Sequence, residues 1–483
     1  MSDTPPSDSN YSQRLSLILG LHQSPTTLVL ATTGGGSFAI SDLFSVPGAS
    51  KTVLAAFVPY APAAIARFIA RAPEQYCCVR TARQLAMSAF QRGQSLLGAA
   101  RKGETVPSEV AHYAEYDDSQ GAIAPCSPFQ YRLAERIDLA DSVGLIGVGC
   151  TASLSTDREK RGDCRVHIAT QTLRRTTTCS LQLAKGARTR WEEERLVADL
   201  IFNMIFDAGK DVPSGVGAEE SVPFLAGTSK DVAIEEILPL GLKDGEKVLA
   251  RRTVASAPLI DLFFGKTLAV LWEDGTLRHR RLELEEPDSQ GSVYNSQAEF
   301  TQAIFPGSFN PIHEAHCRMV NMAQQRLGSR VALEIAVQSV DKPLVDYIDL
   351  EDRLGNIRAS LPGQAVWLSQ AKMFEEKADL FKETMFVVGA DTLRRFADLR
   401  FYRGSIHTLH DVLRMIAYRN CRFLVFARQD ENGLESMQTL QIPDMLWSLC
   451  DEVSADEFAM VLSSSEIRER ENEFPHPCPL DDG

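Results

Sequence analysis

Two histidines three residues apart, His313 and His316, follow the turn-rich stretch Phe305-Pro306-Gly307-Ser308-Phe309-Asn310-Pro311-Ile312. An imidazole N–H can donate to a phosphate oxygen, and at this spacing on a helix both rings lie on one face and can reach the same group. Ala303 to Phe305 reads as a short buried strand, Gly307 to Pro311 as a tight turn, and Glu314 to Leu327 as a helix stopped by Gly328. The start of such a helix leaves backbone N–H groups unpaired and carries partial positive charge, so an anion is favoured there. A capped core helix with two polar residues is the plainer account of the same pattern. A second candidate is Leu462-Ser463-Ser464-Ser465-Glu466-Ile467-Arg468, where serine hydroxyls at a helix start can donate to phosphate oxygens and the planar guanidinium of Arg468 suits a polyphosphate. Lys342, after the strand Val331 to Val337, is a weaker phosphate candidate, with a surface lysine as the alternative. Lys372 and Lys377, flanking Phe374, stand where they could meet a substrate phosphate.

The elements that must position these groups alternate. Strands at Val331 to Val337, Ala365 to Leu368, Met385 to Val388 and Arg422 to Ala427 are separated by helical patterns such as Leu350 to Leu361, which calls for a doubly wound parallel sheet. At 483 residues the chain is too long for one ordinary core. We expect an α/β protein of two α/β domains, the C-terminal one Rossmann-like, with boundaries at 10–210 and 300–475. The segments 1–9 and 476–483 read as flexible ends, and 211–299 as a linker with a small β appendage at Val248 to Val254, Thr267 to Trp272 and Arg278 to Leu284. With 44% hydrophobic and 24% charged residues the composition is that of a globular chain, and a net charge of −14 argues against a broad nucleic-acid-binding face. The ten cysteines include no C-x-x-C pair. No apolar run is long enough to cross a membrane, and Met1 to Asn10 has no signal-like core. Reduced thiols and a cytoplasmic location follow as expectations, with small-molecule nucleotides as partners, neither nucleic acid nor membrane, and a homo-oligomer left open.

The two phosphate candidates together resemble one superfamily. GSFNPIHEAH and SSSEIR look like the HxGH and ISSTxIR signatures of nucleotidylyltransferases, in the branch containing nicotinamide and nicotinic acid mononucleotide adenylyltransferases. Between them, Phe386-Val387-Val388-Gly389-Ala390-Asp391 resembles that family's strand ending in Gly-x-Asp. The resemblance implies His313, His316 and Arg468 as catalytic groups. It implies Gly307, Ser308, Phe309, Asn310, Gly389, Asp391, Ser463, Ser464 and Ser465 as nucleotide contacts, and Mg²⁺ arriving with ATP. Ala315 stands where the family usually has glycine, and Ser465 where it has threonine. The implied reaction transfers a nucleoside monophosphate, most simply AMP from ATP, to a phosphate-bearing acceptor such as nicotinic acid or nicotinamide mononucleotide, with loss of pyrophosphate; CTP is the other donor.

Near the start of the chain, Thr32-Thr33-Gly34-Gly35-Gly36-Ser37 links a strand, Thr27 to Ala31, to a helix. A plain strand-to-helix turn accounts for a lone glycine cluster. In wider register, VLATTGGGSFAISDLFSVPGAS resembles a segment typical of the CinA C-terminal, or nicotinamide mononucleotide amidase, family. That family attacks an amide with a serine activated by a tyrosine and a lysine. Here Thr33 stands at the serine position, Tyr60 matches the tyrosine, and Ile65 replaces the lysine. A hydroxyl without a base is a weak nucleophile, so the resemblance implies a domain that kept the fold and lost the amidase chemistry. The alternatives are a bifunctional enzyme retaining nicotinamide mononucleotide deamidase activity, or a catalytically silent nucleotide-binding or scaffolding protein. The helix from Trp191 to Phe206 closes this unit, with Glu192 to Glu194 expected to serve its dipole.

Overall fold

The computed structural model describes residues 10–102, 142–156, 162–210, 229–230, 232–273, 275–279, 303–338, 345–402, 404–430, 433–454 and 457–458. These form two compact units, the first drawn from 10–260 and 345–351, the second from 261–338 and 352–458.

The first unit is built on one sheet. Its strands are β1 (Thr27–Thr33), β2 (Val53–Phe57), β3 (Leu145–Ser153), β4 (Cys164–Gln171), β5 (Arg175–Leu183), β6 (Ser229–Lys230) and β7 (Val248–Val254), in the order β2-β1-β3-β4-β5-β7-β6. β1 runs parallel to β2 and β3, and the remaining pairs are antiparallel. Helices cover both faces, which is why β1 reads as a continuous apolar run and not as an alternation. Leu28 and Leu30 pack toward the Tyr11–Gln23, Ser37–Ser45 and Arg190–Gly209 helices, while Val29 and Ala31 pack with Ile65, Phe68, Leu85 and Ala89. The successive side chains of a strand point to opposite faces, so one short strand seeds two cores. Residues 345–351 also count with this unit: the Tyr347 hydroxyl donates to the Leu173 carbonyl at 2.8 Å, and Glu351 accepts from Arg251 at 3.0 Å and from the Thr253 hydroxyl at 2.5 Å.

The second unit contains β8 (Ala269–Glu273), β9 (Thr276–His279), β10 (Ala303–Pro306), β11 (Val331–Ala336), β12 (Val366–Ser369), β13 (Met385–Gly389), β14 (Arg422–Phe426) and β17 (Cys450–Val453), in the order β17-β14-β13-β10-β11-β12-β8-β9. A separate hairpin pairs β15 (Arg428–Asp430) with β16 (Gly433–Glu435). The six strands from β17 to β12 are all parallel. β8 and β9 then add an antiparallel edge. This is the Rossmann-like doubly wound sheet that the alternation of strands and helices called for. The strands read as an appendage divide: β7 joins the sheet of the first unit, and the β8-β9 hairpin that of the second, while residues 280–284 of the expected Arg278–Leu284 strand lie outside the described residues. Each would otherwise leave a row of open N–H and C=O groups on β5 or β12, the ordinary fate of an uncovered sheet edge.

Candidate functional site

The order of the second sheet reverses at one place. From β10 the chain adds β11 and then β12 to one side, and afterwards returns to lay β13 and β14 on the other. In an open α/β sheet, connections that leave adjacent strands in opposite directions open a crevice at the carboxyl ends of those strands, and ligands bind there. β10 and β13 are those strands, paired through Ala303 with Met385 and Ile304 with Phe386. The first is followed by the histidine loop, and the second ends at Gly389, two residues before Asp391.

The histidine loop is held from several directions. The Gly307 N–H donates to the Glu334 carbonyl on β11 at 2.9 Å. Phe309, with φ at 44°, buries its ring against Phe305 and His316 at centroid distances of 5.3 and 5.1 Å. A Cβ on residue 307 would lie 2.6 Å from that ring, so glycine is needed for the loop to fold back on itself. The peptide between Asn310 and Pro311 is cis. Arg353 Nη1 donates to the Ser308 carbonyl at 3.0 Å and ties the loop to the Tyr347–Ser360 helix.

His313 is the N-cap of the Glu314–Leu327 helix, in extended conformation, and the helix ends at Gly328 with φ at 62°. The two imidazoles are stacked, with centroids 3.7 Å apart and planes 24° from parallel. The His313 backbone N–H donates to His316 Nδ1 at 3.3 Å. That bond settles the tautomer: Nδ1 accepts, so the neutral ring carries its proton on Nε2. Burial, with His313 beside it as a lesser cause, pushes the His316 pKa down to about 3. At neutral pH, His316 is therefore an uncharged donor of fixed orientation.

At the end of β13 the Asp391 carboxylate accepts from Arg428 Nη1 at 3.1 Å. Beneath the loop, Glu334 is buried and accepts from Lys377 Nζ at 2.8 and 2.7 Å and from the Ser369 hydroxyl at 2.5 Å. Lys377 also donates to the Ala371 carbonyl at 2.8 Å. This corrects the reading of Lys377 as a phosphate ligand, since its ammonium is spent inside the protein on a carboxylate. Lys372 contributes its backbone N–H to the Glu376 carboxylate. Arg353, Arg428 and Glu334 were not singled out from sequence, because each contacts a partner 37 to 45 positions away or lies in the middle of a strand. Ser463, Ser464, Ser465, Arg468 and Lys342 lie outside the described residues. Among the described residues, no group of three His, Cys, Asp or Glu side chains is arranged to hold a metal ion, and no helix is long and apolar enough to cross a membrane.

Residues 304–470 match the cytidylyltransferase-like family. A stretch of 63 residues, 13% of this chain, is 36% identical to a probable nicotinate-nucleotide adenylyltransferase of Gloeobacter violaceus. That match spans 31% of the relative's own length. Among solved structures, the competence/damage inducible protein CihA from Agrobacterium tumefaciens aligns over 44% of this chain and 100% of its own, at 13% identity and a TM-score of 0.27.

In the first unit, Thr33 ends β1 and is buried, Tyr60 is 68% exposed, and Ile65 packs into the core with Val29, Phe68 and Leu85. The lysine position of the amidase pattern is thus a core position. All eight cysteines among the described residues are free thiols.

Proposed function

We propose that the second unit is a nucleotidylyltransferase. The observation that carries this reading is the reversal between β10 and β13, beyond whose carboxyl ends lie the stacked His313 and His316 after one strand and Gly389 with Asp391 at and after the end of its neighbour. The donor is ATP and the acceptor nicotinic acid or nicotinamide mononucleotide. This assignment takes its support from the motifs, and from the name of the Gloeobacter violaceus relative.

In this reaction an acceptor phosphate oxygen attacks the α-phosphorus of the triphosphate, the P–O bond to the β-phosphate breaks, and pyrophosphate leaves with the electron pair. The acceptor phosphate is already a nucleophile, so no general base is required, and the work of the protein is to hold the phosphates in line and stabilise charge on their oxygens. His316, neutral with its proton on Nε2, donates to an α-phosphate oxygen. His313 and the amides at the start of the Glu314–Leu327 helix add further donors. Gly307 to Asn310 form the wall of the nucleotide pocket, with Gly389 and Asp391 opposite. Arg468 with Ser464 holds the departing pyrophosphate, Ser463 and Ser465 are further nucleotide contacts, and Lys342 is a weaker candidate for a substrate phosphate. Mg²⁺ bound with the triphosphate would supply further neutralisation of charge on its oxygens. The first unit, with Ile65 in its core where the amidase pattern has lysine, is an amidase fold without amidase activity.

The test is pyrophosphate release over a panel of triphosphates and mononucleotide acceptors with Mg²⁺, the products identified by mass. We expect dinucleotide formation from ATP and nicotinic acid or nicotinamide mononucleotide. In His316→Ala, kcat should fall by about 10²–10³, or ~3–4 kcal/mol, with triphosphate binding changed only several-fold. Turnover of His316→Ala equal to that of the parent would overturn the mechanism, and a catalytically silent protein would release no pyrophosphate with any pair.

A further inference from the structure

The glycine-rich turn of the first unit carries its own anion. Gly34, Gly35 and Gly36 join β1 to the Ser37–Ser45 helix, and Gly36 is its N-cap with φ at 87°, a left-handed conformation that glycine adopts without strain. Backbone N–H groups in this position ordinarily attract an anion. Here the Gly36 N–H donates at 2.6 Å to Oε2 of Glu194, a side chain 158 positions along the chain and 9% exposed. Arg190 holds the other side of the same arrangement: Nη2 donates to the Gly34 carbonyl at 2.9 Å and to Glu194 Oε1 at 3.1 Å, and Nη1 donates to the Ser155 carbonyl at 3.2 Å. Glu193, fully buried, accepts the Ser155 N–H at 2.6 Å.

All three side chains come from the first five residues of the Arg190–Gly209 helix. That helix has its own cap, a reciprocal pair in which Thr189 accepts from the Glu192 N–H and Glu192 accepts from the Thr189 N–H. Of the three glutamates expected to serve the helix dipole, only Glu192 caps it. Glu193 and Glu194 reach away to amides on other segments.

We propose that Glu194 is the resident anion of the Gly34–Gly36 turn: its carboxylate occupies the position that a small oxyanion, phosphate or carboxylate, takes in an open glycine turn. An intramolecular carboxylate neutralised by Arg190 is present at an effective concentration that a free ligand cannot match, so the intact chain holds no such ligand there. Every residue involved belongs to the first unit, and the inference stands independently of the transferase reading.

The experiment is thermal unfolding of the full chain against rising inorganic phosphate at constant ionic strength, for the parent, Glu194→Ala, and Glu194→Ala combined with Arg190→Ala. Glu194→Ala should unfold at a lower temperature without phosphate and recover saturably, by about 2–4 °C more than the parent; acetate should act in the same way. The double variant should lose this extra recovery. Phosphate bound by the second unit shifts all three proteins alike and cancels in the comparison. Equal shifts in all three would overturn the proposal. If Glu194→Ala does not fold unaided, its refolding yield from urea in phosphate or acetate should exceed that in chloride at the same ionic strength, and equal yields would overturn it.

Discussion

His316 is oriented by the backbone of the residue that begins its own helix. A backbone N–H can only donate, so the bond from His313 to Nδ1 leaves Nε2 as the protonated nitrogen, and the stacked His313 ring limits rotation. The depressed pKa of about 3 has a thermodynamic consequence in the free protein. The unfolded chain binds a proton at this histidine near pH 6.5 and the folded chain does not, so the unfolded state holds more protons between those values and stability falls as pH falls through them. His167, pushed down to about 4 by burial with Arg165 as a lesser cause, adds a contribution of the same sign. We expect the urea midpoint of the parent to drop between pH 7 and pH 4.5. The drop should be shallower in His316→Gln and in His167→Gln, and identical slopes in parent and variants would show that neither ring is held neutral by the fold.

The second unit's chemistry rests on how three strand ends are joined. β10 delivers the histidine loop, the Glu334 carbonyl on β11 takes the Gly307 N–H, and the Glu334 carboxylate is fixed by Lys377 and by Ser369 at the end of β12. Removing one partner of a buried ion pair strands the other charge, which costs about 3–5 kcal/mol, whereas replacing both with apolar groups is close to neutral. Lys377→Met should therefore lower the unfolding free energy by about that amount, and Lys377→Met with Glu334→Leu should recover most of it. Denaturant titration of the two variants decides between this and a solvent-facing lysine, whose loss would move stability by less than about 0.5 kcal/mol. In the single variant, turnover should also fall, because the carboxylate that moves shares its residue with the carbonyl holding Gly307.

At the scale of the whole molecule, two α/β units lie on one chain, and in the first the position where the resembled amidase pattern has lysine is Ile65. Thr33 keeps a hydroxyl at the serine position and Tyr60 matches the tyrosine, but Ile65 is 3% exposed among apolar neighbours, and an ammonium placed there would be desolvated without a partner. The purified full chain should therefore release no ammonia from nicotinamide mononucleotide, and Ile65→Lys should lower its stability without conferring that activity. Steady ammonia release that disappears in Thr33→Ala would show instead that the unit kept its chemistry. The resident carboxylate of Glu194 at the glycine turn works in the same direction.

How much of this was legible in the sequence follows from the range of the forces involved. The strand, turn and helix around His313 and His316 are set by local terms, namely Gly307 in a tight turn, an extended N-cap and Gly328 as a stop, and the expected Glu314–Leu327 helix is the observed one. The alternation of apolar strands with helices likewise determined the doubly wound class of the second unit. Contacts between residues distant in the chain have no local signature. Nothing near Lys377 in the sequence says that Glu334 will be buried beside it, nothing near Glu194 says that Gly36 will meet it, and β7 and β8 look alike until one pairs with β5 and the other with β12. Residue types and spacing thus named candidates for binding phosphate, while only the tertiary structure decided that the charge of one of them, Lys377, is spent within the protein. The reason is that a buried charge requires a partner, and the fold chooses that partner.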